Sequence, residues 1–210
     1  MENLYSENGQ MSFEKCLAWM ERKGKELYGE HFNIHYQDHE LLFKLLIYVI
    51  RDKENAERLN IQFNKGILLS GPVGCGKTSL MSILRLFLPI DSRYVMKSCR
   101  DVSFEFIQEG YAVIIRYSRN SFSHEKPRVY CFDDLGTENN LKYYGNECNV
   151  MSEILLSRYD SFVSNQMITH ITTNLNSSEI ESLYGIRVRS RMREMFNLIS
   201  FEKEAKDKRI

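Results

Sequence analysis

Eight residues constrain this chain more than any others: Gly71-Pro72-Val73-Gly74-Cys75-Gly76-Lys77-Thr78, a G-x-x-x-x-G-K-[ST] run. The run follows a short apolar stretch, Ile67-Leu68-Leu69, that reads as a buried strand. It opens a segment of helical character that runs from Lys77 to about Leu88 and is halted by Pro89. A glycine-rich loop in that setting curls so that its N–H groups point into one concavity, and the helix N-terminus adds its positive dipole end. Such geometry receives a polyphosphate. Lys77 would reach the β- and γ-phosphates, and the Thr78 hydroxyl would hold Mg²⁺. The expected nucleotide contacts are therefore Gly71 through Thr78, with Ser79 in the same turn. ATP is preferred to GTP because no N-K-x-D run is present; Asn64-Lys65-Gly66-Ile67 comes nearest and lacks the acid.

The pattern around the loop predicts alternating strands and helices. Ser12 is placed to cap a first helix carrying Phe13, Leu17, Met20 and Leu27 on one face. A second helix is expected from about Asp38 to Leu59, apolar nearly all round between Leu41 and Ile50 and so packed on several sides. Beyond the loop the expected strands are Tyr94–Met96, Val129–Phe132, Met167–Thr173 and Leu198–Phe201. Helices are expected over Val102–Tyr117 and Val150–Phe162. Ser178-Glu179-Ile180-Glu181 reads as a capping box opening a short helix that Gly185 ends. This alternation predicts an α/β, three-layer P-loop fold: a parallel sheet flanked by helices, made of residues 61–210, with a helical N-terminal segment over 1–60.

A second chemical signal is an acid pair closing an apolar strand: Phe132-Asp133-Asp134-Leu135-Gly136-Thr137-Glu138. Asp133 at the strand's carboxyl edge would hold Mg²⁺ through water, and Asp134 would polarise an attacking water. Here the loop, in its narrower form Gly71-x-x-Gly74-x-Gly76-Lys77-Thr78, resembles that of AAA+ proteins. The Asp133–Glu138 stretch is similar to that of DnaC/IstB-type ATPases, a family of helicase loaders and transposition helpers. Thr172-Thr173-Asn174-Leu175 resembles the family's sensor 1, and Tyr184–Met192 its arginine-bearing segment. The likeness spans roughly residues 40–210.

The resemblance implies ATP hydrolysis in a homo-oligomer acting on DNA or on a DNA-bound helicase or transposase. It implies that Asn174 holds the water or γ-phosphate and that Arg191 is an arginine finger serving a neighbouring subunit. Arg187 and Arg189 compete with Arg191 for that role, and Arg209 aligns with a sensor 2. Two departures stand out. Asp134 replaces the glutamate many AAA+ proteins carry, which would slow hydrolysis or pass the work to Glu138. The sequence also leaves no room for a C-terminal helical lid domain.

Composition excludes less than the motifs establish. Lys+Arg 28 against Asp+Glu 28 gives a formal charge of +0, which neither demands nor excludes nucleic acid. No apolar run approaches the ~20 residues of a membrane span, and the start lacks a signal-peptide core, so a cytoplasmic protein is expected. Five cysteines without a C-x-x-C pair fit reduced thiols. His31, His35 and His39 are spaced by four but lack companion ligands, so no metal site is read there. Competing readings are a nucleotide-dependent adaptor that does not hydrolyse, and a small-molecule P-loop kinase. The later arginines and Asn174 have no part to play in the second.

Overall fold

The computed structural model describes residue 4 and residues 12–123, 126–138, 141–143 and 146–208. Ser12 caps α1 (Phe13–Tyr28), its hydroxyl accepting from the Lys15 N–H, and Leu17, Trp19 and Met20 turn inward. The next helical stretch is two helices where one is expected over Asp38–Leu59. α2 (His39–Ile50) stops because Arg51 adopts φ 61, and Asp52 caps α3 (Lys53–Arg58) by accepting from the Asn55 N–H. A capping aspartate that restarts the helix carries no signal in apolar periodicity. Leu41, Leu42 and Leu45 through Val49 are all buried, as the nearly all-round apolar character of this helix requires.

β1 (Gly66–Ser70) leads through the phosphate loop into α4 (Lys77–Leu84). β2 (Val95–Ser98) follows, then α5 (Cys99–Glu109) and α6 (Tyr111–Tyr117). The single helix expected over Val102–Tyr117 is broken at Gly110, whose φ 62 and ψ −143 no helix admits. A small antiparallel pair, β3 (Phe122–Ser123) with β4 (Lys126–Pro127), precedes β5 (Tyr130–Leu135). A second pair, β6 (Leu141–Tyr143) with β7 (Asn146–Cys148), precedes α7 (Val150–Asn165). β8 (Thr169–Thr173), α8 (Ser177–Met195) and β9 (Phe196–Ser200) complete the order.

The capping box of α8 is set two residues earlier than expected. Asn176, not Ser178, is the cap, and Glu179 rather than Glu181 reaches back to its N–H. Gly185, at φ 86 and ψ 160, ends the first helical stretch of α8 as expected, and a second stretch runs on to Met195.

Five strands form one parallel sheet in the order β2-β5-β8-β1-β9. Alternation along β1 sends Ile67 and Leu69 to one face, among α1, α2 and α4, and Leu68 to the other, among α5, α6, α7 and α8. Both faces are covered, which is why the strands read as apolar runs. The N-terminal helices share the first of these cores: Trp19 packs on Phe87 with ring centroids 4.5 Å apart. Among the described residues, no helix is long and apolar enough to cross a membrane.

Candidate phosphate-loop site

The loop lies at the carboxyl end of β1, between the central strand β8 and the edge strand β9. Gly74 (φ 81) and Gly76 (φ 97) take backbone angles that side chains resist, and this curls the segment into a cup. Lys77, first residue of α4, is 4% exposed. Its Nζ donates to the carbonyl oxygens of Gly71 (2.9 Å) and Pro72 (2.8 Å) and to Asn174 Oδ1, and lies 3.8 Å from Cys75 Sγ. All four are neutral acceptors, and among the described residues Lys77 makes no ion pair. A buried ammonium set only against neutral groups favours an anion beside it.

Thr78 follows one residue on, and its hydroxyl donates to Asp133 at 3.0 and 2.9 Å from the two carboxylate oxygens. The Thr172 hydroxyl donates to the same carboxylate at 2.7 Å and accepts from the Asp134 N–H at 2.9 Å. Burial pushes the Asp133 carboxyl above its usual range, more strongly than the two hydroxyls hold it down. The Thr78 and Asp133 oxygens make a hard donor set that fits Mg²⁺.

On a regular strand Asp133 and Asp134 would face opposite sides. The β5–β8 register shifts between Phe132 and Leu135, and Asp134 takes φ 56. That irregularity turns Asp134 into the cavity while Asp133 stays on Thr78. Glu138, the other carboxylate considered for activating water, is outside the cavity lining. Tyr184 donates its hydroxyl to one oxygen of Glu138, and the Gly136 N–H donates to the other at 2.9 Å.

The cavity encloses about 320 Å³ and gathers Val73, Gly74, Gly76, Lys77, Thr78, Ser79, Asp134 and Asn174 on one side. Its other wall was not foreseen. Tyr28, the last residue of α1, and His31, Phe32, Asn33 and His35, from the turn between α1 and α2, line it together with Lys208. The sequence marked two of them, His31 and His35, only by their spacing of four, which was not read as a site. Among the described residues no cluster of metal-ligating side chains forms, around these histidines or elsewhere.

The arginines of α8 lie elsewhere. Arg191 rests 4.3 Å over the Tyr159 ring, donates to its hydroxyl at 3.1 Å and reaches Glu194. Arg189 pairs with Glu181, and Arg187 is exposed just past the Gly185 kink. None of the three lines the cavity, and Arg209 lies outside the described residues.

Solved structures carry the same fold. The DnaC helicase loader is 21% identical over 80% of this chain and 92% of its own, with a TM-score of 0.57. A putative primosome component from Streptococcus pyogenes serotype M3 is 17% identical over 82% and 83%, with the same score. AMPPCP-bound DnaA from Aquifex aeolicus is 17% identical over 81% of this chain and 48% of its own, at 0.51. No curated protein sequence matches the chain. A family model, described as the ATPase family associated with various cellular activities (AAA), matches residues 67–199, from β1 through β9. More than half of the chain lies within that match, and it belongs to the AAA family.

Proposed function

We propose that this AAA protein binds ATP with Mg²⁺, hydrolyses it, and works in the cytoplasm as an assembly of copies on DNA or a DNA-bound protein. The observation that carries the nucleotide reading is the buried Lys77 ammonium, held at the mouth of a glycine-rich loop by neutral acceptors alone. In this reading the loop amides and Lys77 take the β- and γ-phosphates. Thr78 and Asp133 hold the cation, which neutralises charge on the phosphates when bound. Asp134 faces the cavity and orients and deprotonates water, while Asn174, hydrogen-bonded to Lys77, fixes the far side of the γ-phosphate. The wall of Tyr28, Phe32, His31 and His35 offers rings for stacking on the adenine.

Arg191 is remote from its own cavity, so its charge would act on the nucleotide of a neighbouring copy. The shared fold of the DnaC loader and of AMPPCP-bound DnaA supports a replication-type partner and an adenine nucleotide.

The test is ATP turnover by wild type, Asp134→Asn, Arg191→Ala and an equimolar mixture of the two variants. Asp134→Asn is expected to lose about 10²-fold or more in turnover, as general-base removal does, while still binding ATP. Activity recovered in the mixture supports the trans finger. Mixed assemblies that bind ATP and stay inactive count against Arg191. A second reading, a nucleotide-dependent adaptor without hydrolysis, is favoured by the Tyr184 hydrogen bond that holds Glu138 out of the cavity. Tight ATP binding with no turnover in the presence of DNA would select it.

A further inference from the structure

The segment that follows β9 returns to the phosphate loop. Phe201 continues the strand, its N–H donating to the Ser70 carbonyl at 2.9 Å, and its ring packs against Gly71. A turn follows, closed by the Ala205 N–H on the Glu202 carbonyl at 3.1 Å. The chain then comes back over the loop. The Lys208 N–H donates to the Gly74 carbonyl at 3.0 Å, and the Asp207 carboxylate occupies the space where a Cβ on Gly74 would stand. The Lys208 side chain crosses the Phe201 ring at 4.9 Å, pairs with the buried Asp38 carboxylate at the foot of α2, and lines the cavity. Gly74 therefore serves two ends: its φ shapes the cup, and its bare Cα admits the strap.

We propose that residues 202–208 form an autoinhibitory strap that competes with the nucleotide phosphates for the loop. The proposal rests on the nucleotide reading above. A carboxylate laid against Gly74 repels a triphosphate entering the cup, and the hydrogen bond to the Gly74 carbonyl keeps it there. The clasp also spans the molecule, because Lys208 ties the loop to the start of α2. Releasing it detaches residues 202–208 while the N-terminal helices stay packed in their core. Ala205 is the strap's sole apolar side chain, and Glu202, Lys203, Glu204, Lys206 and Asp207 are all exposed, so little hydrophobic burial opposes release.

The experiment is calorimetric titration of ATP·Mg²⁺ into wild type, Asp207→Asn and Asp38→Asn, with tryptic cleavage after Lys203 and Lys206 followed in parallel. Asp207→Asn is expected to bind roughly three- to tenfold more tightly at low salt, the gain shrinking as screening rises. Asp38→Asn removes the clasp without touching the tail, and should both tighten binding and speed cleavage in the absence of nucleotide. Adding ATP to wild type should speed cleavage at the same two lysines. Unchanged or weaker binding by Asp207→Asn, or slower cleavage with ATP, overturns the strap while leaving the nucleotide reading intact. No binding by any of the three chains overturns that reading, and the strap with it.

Discussion

Two buried cations sit at opposite ends of one sheet, and their surroundings differ in kind. Lys77, at the carboxyl ends of the strands, has neutral partners on one side and a cavity of about 320 Å³ on the other. Arg158 of α7 is at the far end, 0% exposed and outside the lining of that cavity. Its guanidinium donates to the carbonyls of Tyr117 (2.8 Å), Arg128 (3.1 Å) and Ile168 (3.0 Å), and to the hydroxyls of Thr169 (2.7 Å) and Ser121 (3.3 Å). The Tyr130 and Phe132 rings lie 5.5 and 5.7 Å from it, and burial lowers its pKa to about 10. One end of the sheet leaves a charge facing open space for chemistry. The other spends every donor on joining α6, α7 and the approaches to β5 and β8. The difference lies in the cavity beside the charge and not in spent donors, since the three N–H groups of Lys77 have acceptors too.

Arg158→Met should break that contrast hardest, since it leaves five oxygen acceptors without their donor in a dry interior. A loss of about 3–5 kcal/mol is expected by denaturant unfolding, with nucleotide affinity of the folded protein unchanged. A large change in affinity instead would mean that the two ends are coupled. Lys77→Ala is the mirror case. It should weaken ATP binding roughly a hundredfold, about 2.7 kcal/mol, with folding stability unchanged or slightly raised, because an unpaired buried charge is removed. Normal binding by that variant would sink the assignment of the site.

A test by pH sharpens the structural end. His170 in β8 accepts the Ile67 N–H at Nδ1 (3.0 Å), and burial lowers its pKa from 6.5 to about 3. The native state thus keeps this ring neutral while the unfolded chain protonates it. Its contribution is full above pH 6.5 and is lost as pH falls from there through 3, at about 1.4 kcal/mol per unit. In His170→Asn, stability at pH 7 should be lower but its fall between pH 6 and 4 shallower. An equally steep fall in the variant would assign the acid sensitivity elsewhere.

Much of the site was legible because its chemistry is local. Residues 71–79 are contiguous, and the cup they form depends on glycines at fixed offsets. The acid pair was visible at the end of its strand, with Asp133 read for the cation and Asp134 for water, but the backbone division that points the two apart was not. That division depends on a register shift against β8 and on the Thr172 hydroxyl, neither of which leaves a pattern in the sequence. The helix breaks at Arg51 and Gly110 were misread for a related reason: apolar spacing continues across them, while the break is made by one residue's φ.

The sequence by itself determined the parallel sheet and the loop between β1 and α4, since each follows from short-range periodicity and backbone preference. Tertiary structure alone decided that His31 and Lys208 face the same cavity, that Tyr184 holds Glu138 away from it, and that Arg191 is outside it. Those choices join residues many tens of positions apart. The free energy that brings them together comes from the packing of two cores around the sheet, which no local window of sequence contains.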